Sequence, residues 1–404
     1  MELEILKLVL AFLAIVMLIW LKRPLYQAIL VGILTTAVLY GIGPVQSGQL
    51  VGRVCTDRSA MSIVLVLYLI TFLQRMLEKR EQIKLAGQDL DRLFHNRRIN
   101  ASVAPLFIGL LPSAAAMILC GNIVKEATEG YLDKKEQAFV TSWFRHIPES
   151  TLPTYSGVLL MSNLAGVPLP GFMAGMVVPI ICLFGLGYLS CLRKLPKATA
   201  GISSTSKGKN ALGLLLHLWS LLAIILLILA FGLPVVTSII VVILAAVPIY
   251  RFRWVELRPM FRQAVEVKLL LNTFLILVFK EFVTFSGVIH LLPDFFARLP
   301  IPMYLVFSLL FFFGGVVSGT SGIIALGTPL AFTAIPDGGM PLMVLLMCMC
   351  HAASQVSPTH VCLAVATEYF GVSLGELVRK TMPSVLVFCA SMVVYYCLLK
   401  MFIG

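Results

Sequence analysis

Two apolar stretches about 205 positions apart repeat one pattern of small and polar residues. HIPESTLPTYSGVLLMSNLAGVPL spans 146–169, and HAASQVSPTHVCLAVATEYFGVSL spans 351–374. A single offset aligns identical residues in the two stretches: His146 with His351, Pro153 with Pro358, Thr154 with Thr359, Gly166 with Gly371, Val167 with Val372 and Leu169 with Leu374. The same offset also pairs Gly109 with Gly314 and Ser113 with Ser318. A shared origin of two halves therefore constrains the fold.

The composition is that of a polytopic membrane protein. Apolar residues make up 59% of the chain, charged residues 12%, and the mean hydropathy is +0.97. Several runs are free of charge over the roughly 18 residues that cross a bilayer core. The net charge of +12 comes from basic clusters between apolar runs, without interleaved aromatics, so we expect no nucleic-acid partner. The nine cysteines predict no disulfide framework, because most lie inside apolar segments.

The apolar runs divide the chain into two halves of similar order. The first half, 1–195, begins with a retained helix and has its interrupted stretches at about 101–124 and 137–165. A polar linker at 196–210 follows, and we expect it to be cytoplasmic. The second half, 211–404, has matching interrupted stretches at about 303–333 and 340–367. No soluble domain is predicted.

If 101–124 and 303–333 are re-entrant hairpins, each half has five crossing helices, and an odd number of crossings inverts the second half relative to the first. The predicted fold is therefore an all-α membrane protein of two inverted repeats, as in secondary transporters. Basic residues support this topology, because most fall on one side when both termini are outside. The residues left outside are Lys7, Arg53, Arg58, Arg298 and Lys400.

The hairpin tips are candidate ion and substrate sites. The first tip contains Pro112 and Ser113; the second contains Ser318, Gly319, Thr320 and Ser321. Breaks inside a bilayer need their freed backbone groups satisfied, and the N–H groups of a helix start attract anions. Carbonyl and hydroxyl oxygens at such breaks can coordinate sodium. Close packing of small residues is the alternative explanation of these glycines and serines.

The fifth span of each half is broken as well. The candidate residues are Glu149, Ser150, Thr151, Pro153 and Thr154 in the first half and Ser357, Pro358 and Thr359 in the second. Arg145 could clamp an anion, and Glu149 could carry a proton, or the two could form a structural pair. His146, His351 and His360 could titrate during coupling or simply pack in the core.

These paired tips, the paired breaks and the run GLLPSA at 109–114 resemble the ion transporter superfamily, which includes divalent-anion:sodium symporters and gluconate and citrate permeases. The chain is most similar to a ten-span prokaryotic branch known as a domain of unknown function. The resemblance implies an elevator-like carrier, commonly a homodimer, with Ser113, Ser318, Thr320, Thr154 and Thr359 where sodium and substrate bind. The tips lack the Ser-Asn-Thr signature of the sodium/dicarboxylate carriers.

We therefore predict a secondary transporter of a small anion, an organic acid, in the inner cell membrane. The coupling ion is sodium or a proton, and no other cofactor or metal is expected. A metabolite exporter or antiporter on the same fold is the first alternative. An intramembrane enzyme is the second, with His146, Glu149, His351 and His360 as metal ligands or a histidine and a serine as a nucleophilic pair. No His-Glu-x-x-His or Gly-x-Ser-x-Gly motif is present to support it. A passive channel is disfavoured by the duplicated breaks.

Overall fold

The computed structural model describes residues 2–21, 23–82, 84–86, 88–89, 96–109, 114–196, 207–291, 300–358 and 360–403. Within these ranges all regular secondary structure is helical, which confirms the predicted all-α class. The predicted site residues Pro112, Ser113 and Thr359 lie outside the described residues, as does most of the linker.

The first half contains ten α-helices, here α1 to α10, among the described residues. They are Glu2–Trp20, Leu25–Leu39, Pro44–Thr56, Arg58–Lys79, Arg97–Ile108, Ala114–Thr128, Lys134–Arg145, Ser156–Ala165, Leu169–Gly175 and Val177–Ser190. The described part of the second half contains nine, α11 to α19. They are Lys207–Leu229, Val235–Ile249, Trp254–Gln263, Val267–Phe285, Met303–Ser318, Thr320–Ala334, Gly339–Ser354, Val361–Phe370 and Leu374–Ile403.

The two halves repeat the same order of helices. Helices α1 to α8 correspond one by one to α11 to α18, and the last two helices of the first half correspond to the long α19. One of these pairs, α3 with α13, consists of short amphipathic helices that hydropathy alone did not predict. The repeat seen in the motifs therefore extends over the whole architecture.

Helix breaks occur at the positions where the sequence contains small residues and prolines. The stretch 303–334 forms two helices joined at Gly319, whose φ of 77° is a left-handed conformation that favours glycine. The stretch 134–165 is interrupted by the short 3-10 turn Pro148–Ser150. The stretch 339–370 is interrupted between Ser354 and Val361. Each broken stretch thus ends or begins a helix inside the protein body.

Packing between the halves is reciprocal. Helix α18 of the second half packs against α6 of the first, and α8 of the first half packs against α16 of the second. Likewise α14 packs against α2, and α4 packs against α12. Helices at equivalent places in the two halves therefore make equivalent contacts with the opposite half.

Length and composition make four of the described helical segments long and apolar enough to cross a membrane: Arg58–Lys79, Leu169–Ser190, Gly208–Leu229 and Leu374–Phe402. Shorter apolar helices include both arms of the second hairpin and both halves of the second broken stretch. At 1.5 Å per residue, a helix of 15 residues reaches only about 22 Å, less than the roughly 30 Å core of a bilayer. The short helices place their ends within the protein, where a site can form.

Gly109 fixes the end of the first hairpin arm against the first broken stretch. A Cβ at this position would lie against the backbone oxygen of Arg145, closer than real Cβ atoms approach. The Tyr155 hydroxyl donates a hydrogen bond to the Gly109 carbonyl. One glycine thus holds the hairpin close to the residues around Arg145.

We expect Gly109→Ala to lower the unfolding midpoint of the purified protein in detergent, because overpacking typically costs about 1–3 kcal/mol. Gly48→Ala is the matched control: Gly48 lies inside the exposed helix α3, and a Cβ there meets nothing within 4 Å. Since alanine favours helix over glycine by up to about 1 kcal/mol, the control should be neutral or stabilising. Equal midpoints for the two variants would show that the close approach at Gly109 is not required.

Candidate functional site

A small cavity of about 50 Å³ lies where the broken stretches meet the second hairpin. Its lining comes from three parts of the chain that are remote in sequence: His146, Glu149, Ser150, Tyr155, Ser156 and Gly157; Thr320, Ser321 and Ile324; and Met347, Cys350, His351 and Ser354. Hydroxyl, carboxylate and imidazole groups therefore converge in the interior of an otherwise apolar body.

Two helices begin at this cavity. Helix α8 starts with Ser156 and Gly157, and α16 starts with Thr320 and Ser321. The N-cap residue of α16, Gly319, has no side chain to accept the first N–H groups, and the N-cap Tyr155 of α8 makes no capping hydrogen bond. Helix starts carry partial positive charge and point N–H groups outward. The cavity is therefore suited to an anion, as helix ends are elsewhere.

Arg145 and Glu149 form an ion pair beside the cavity. The Arg145 guanidinium lies 3.4 Å from Glu149 Oε2, and its side chain is only 2% exposed against 27% for Glu149. Arg145 does not line the cavity, whereas Glu149 does. Of the two interpretations left open by the sequence, this geometry matches the pair.

His146 and His360 meet across the two halves. Their Nε2 atoms are 2.8 Å apart, and the ring centroids are 4.7 Å apart. Glu149 Oε2 lies 3.8 Å from His146 Nε2 and 4.0 Å from His360 Nε2. His146 Nδ1 lies 2.6 Å from the Ser142 carbonyl oxygen, which can only accept a hydrogen bond. The Nδ1 atom of His146 therefore carries a proton, and in the neutral ring Nε2 does not.

His351 belongs to a different set of contacts. Its Nδ1 is 2.8 Å from the Ser150 hydroxyl, and its Nε2 is 3.3 Å from Gln355 Nε2. The ring also packs edge-on against Trp143 and Phe388. His351 is thus a hydrogen-bonded residue in the cavity wall rather than a member of the His146–His360 pair.

Some of the remaining candidates from the sequence line the cavity, and others donate hydrogen bonds to backbone carbonyls. Ser150, Thr320 and Ser321 line the cavity. Ser318 donates to the Gly314 carbonyl at 2.7 Å, Thr151 to the Ile147 carbonyl at 2.8 Å, and Ser357 to the Val316 carbonyl at 2.8 Å. Thr154 is buried, and its hydroxyl has no hydrogen-bond partner among the described residues. Pro153 is buried and Pro358 is exposed.

The sequence interpretation missed several residues of this region, four of which carry polar side-chain atoms that bear on its chemistry. Tyr155, Ser156 and Ser354 line the cavity, and Cys362 lies near the two histidines. The alignment contained signals for two of them: Tyr155 occupies the position of His360 in the other half, and Gly157 that of Cys362. Because both halves contribute side chains to one region, neither motif alone indicated which residues converge.

A model of the family described as "Protein of unknown function (DUF401)" matches residues 5–399. The chain belongs to this family. Its fold is similar to the crystal structure of the Alcanivorax borkumensis YdaH transporter, described as having an unusual topology, with a TM-score of 0.62, 14% sequence identity and 85% of each chain covered. At this identity the likeness establishes the fold alone. Comparison with curated proteins gave no match. Together with the apolar helices, the fold identifies a membrane protein.

We expect Glu149→Gln to lower the unfolding midpoint at neutral pH, because Arg145 stays buried and loses its carboxylate partner. Losing a charged hydrogen bond costs about 1–3 kcal/mol. Glu368→Gln serves as the control, since Glu368 is exposed on the neighbouring helix α18. Thermal unfolding of both variants measures the difference, and an unchanged midpoint for Glu149→Gln would contradict the ion-pair role.

Proposed function

We propose that this protein is a secondary transporter of a small organic anion, which binds in the cavity between the broken stretches and the second hairpin. The observation that carries the proposal is the start of two helices, α8 and α16, at one interior cavity. Two positive helix ends favour an anionic group, and the hydroxyls of Ser150, Thr320 and Ser321 can donate to it. Catalysis is not part of the proposal.

Coupling to a sodium or proton gradient forms the second part of the proposal. Glu149 supplies a negative charge at the cavity wall, next to a histidine pair. Although Arg145 pairs with it, Arg145 does not line the cavity, so the carboxylate is the nearer charge and repels an anionic substrate unless a proton or a cation accompanies it. Co-transport of the anion with sodium or a proton removes this repulsion, which gives a physical reason for coupling.

Alternating access would arise from movement of the hairpins and broken stretches against the other helices, as in an elevator. The reciprocal packing of the halves supports two inverted repeats, the architecture that secondary transporters use. The YdaH protein, whose fold is similar, is described as a transporter. We further propose placement in the ion transporter superfamily, an inner-membrane location with both termini outside, and a homodimer.

Ligand-dependent thermal unfolding in detergent tests the substrate class. The panel contains carboxylates, sulfate and phosphate, with sodium present or replaced by choline, at two pH values. A ligand at 100 times its dissociation constant adds about 2.7 kcal/mol to stability. We expect a carboxylate to raise the midpoint, with sodium required for sodium coupling or a pH-dependent shift for proton coupling. No shift with any anion would contradict an organic-anion carrier.

Thr320→Ala tests the helix start in the same assay. Loss of a hydrogen bond to a charged group costs about 1.5–3 kcal/mol, so the dissociation constant of the effective anion should rise about tenfold or more. Thr333→Ala is the matched control near the other end of the same helix, where the hydroxyl bonds the Pro329 carbonyl. Equal affinities of the two variants would place the anion elsewhere.

A further inference from the structure

We propose that His146, His360, Cys362 and Glu149 form a binding site for a divalent transition-metal ion of the zinc type. Ligand atoms of His146, His360 and Cys362 all lie within 4.8 Å of one another. Glu149 Oε2 lies 3.8 Å and 4.0 Å from the two histidine Nε2 atoms. Two nitrogens, a thiol sulfur and a carboxylate oxygen are the donors that zinc takes in proteins.

The spacing fits a tetrahedral ion with small adjustments. Ligand atoms about 2.0–2.3 Å from a tetrahedral zinc are separated from one another by roughly 3.3–3.7 Å. The histidine nitrogens, at 2.8 Å, are slightly closer than this, and the carboxylate distances are slightly longer. Small side-chain rotations that part the histidine rings and draw Glu149 inward would give the required geometry.

A hydrogen bond outside the four ligands supplies independent support. Metal-bound histidines usually donate their other ring N–H to a carbonyl or carboxylate, which fixes the tautomer and ring orientation. His146 does this already, with Nδ1 2.6 Å from the Ser142 carbonyl oxygen. Its Nε2, the atom that faces His360 and Glu149, is therefore the unprotonated ring nitrogen, and a metal ion would replace its present contact with His360 Nε2.

The charges in this region suit a cation together with an anion. With the Cys362 thiol deprotonated, as metal binding requires, that thiolate and Glu149 balance the two positive charges of the ion. The Arg145 guanidinium, 3.4 Å from Glu149, then leaves one net positive charge beside the cavity. His146 and Glu149 belong both to the ligand set and to the cavity wall, so a bound ion would lie next to any cavity ligand.

The four ligands come from two distant parts of the chain, so no short sequence motif contains them. His146 and Glu149 flank the break of the first half, while His360 and Cys362 begin helix α18 in the second half. The ligand pairs are about 210 positions apart, and no regular spacing such as two cysteines in a short loop marks them. Only the packing of α18 against α7 brings them together.

Cobalt titration of metal-free purified protein tests the proposal. Co²⁺ replaces Zn²⁺ in such sites, and a cobalt–thiolate bond gives a charge-transfer band in the near ultraviolet. We expect saturable binding of about one Co²⁺ per chain with this band, displaced by Zn²⁺. Cys362→Ser should abolish the band, whereas Cys350→Ser, in the same cavity region but outside the ligand set, should keep it. His360→Gln should weaken binding at least about tenfold while keeping the thiolate band.

Absence of saturable Co²⁺ binding, or a thiolate band that survives Cys362→Ser, would overturn the proposal. Unfolding midpoints of the variants without metal separate a lost ligand from a misfolded protein. The proposal stands apart from transport. An anion-induced thermal shift that persists with a chelator, in protein that binds no cobalt, would reject the metal site and retain the proposed carrier.

Discussion

Interrupted helices inside an apolar body are the constraint on which the rest of this structure depends. Each break frees backbone groups that lipid cannot satisfy, so it has to be packed against protein or a polar cavity. Gly109 allows a close backbone approach at the end of helix α5, and Gly319 allows one interruption by its left-handed φ. The hydroxyl of Ser357 caps the carbonyl of Val316 near the second hairpin end. Helices α8 and α16 begin at the cavity, so their first N–H groups and the polar side chains of the breaks are found there.

The site is formed where helices of one half pack against helices of the other half. Helix α18 reaches across to α6 and α7, and α8 reaches across to α16 and α17. As a result, His146 of the first half meets His360 of the second at 2.8 Å, and Ser150 meets His351 at the same distance. A charge such as Arg145 is tolerable at 2% exposure because Glu149 lies beside it. The site therefore depends on this packing between the two parts of the chain.

The sequence predicted the coarse architecture because each helix and each helix break leaves a signal in the residues that form it. Apolar runs gave the helices, and the glycine at 319 and the prolines of the broken stretches gave the interruptions. The sequence did not predict helices α3 and α13, because short amphipathic segments lack a long apolar run. Convergence across the halves could not be read from spacing: His351 matched His146 in the alignment, yet His360 and Cys362 are the residues that approach it. The partner of a side chain depends on tertiary packing, which periodicity does not encode.

The central claim is that one interior cavity opens alternately to the two sides of the membrane. Ser321 lines this cavity and is exposed, so Ser321→Cys on a cysteine-free background reports its access directly. The measurement is labelling by a membrane-impermeant thiol reagent in right-side-out and in inverted vesicles, with and without the anion that stabilises the protein. Alternating access predicts labelling from both sides and a change in the ratio of the two rates when the anion binds. Labelling from one side only, under every condition, would contradict it.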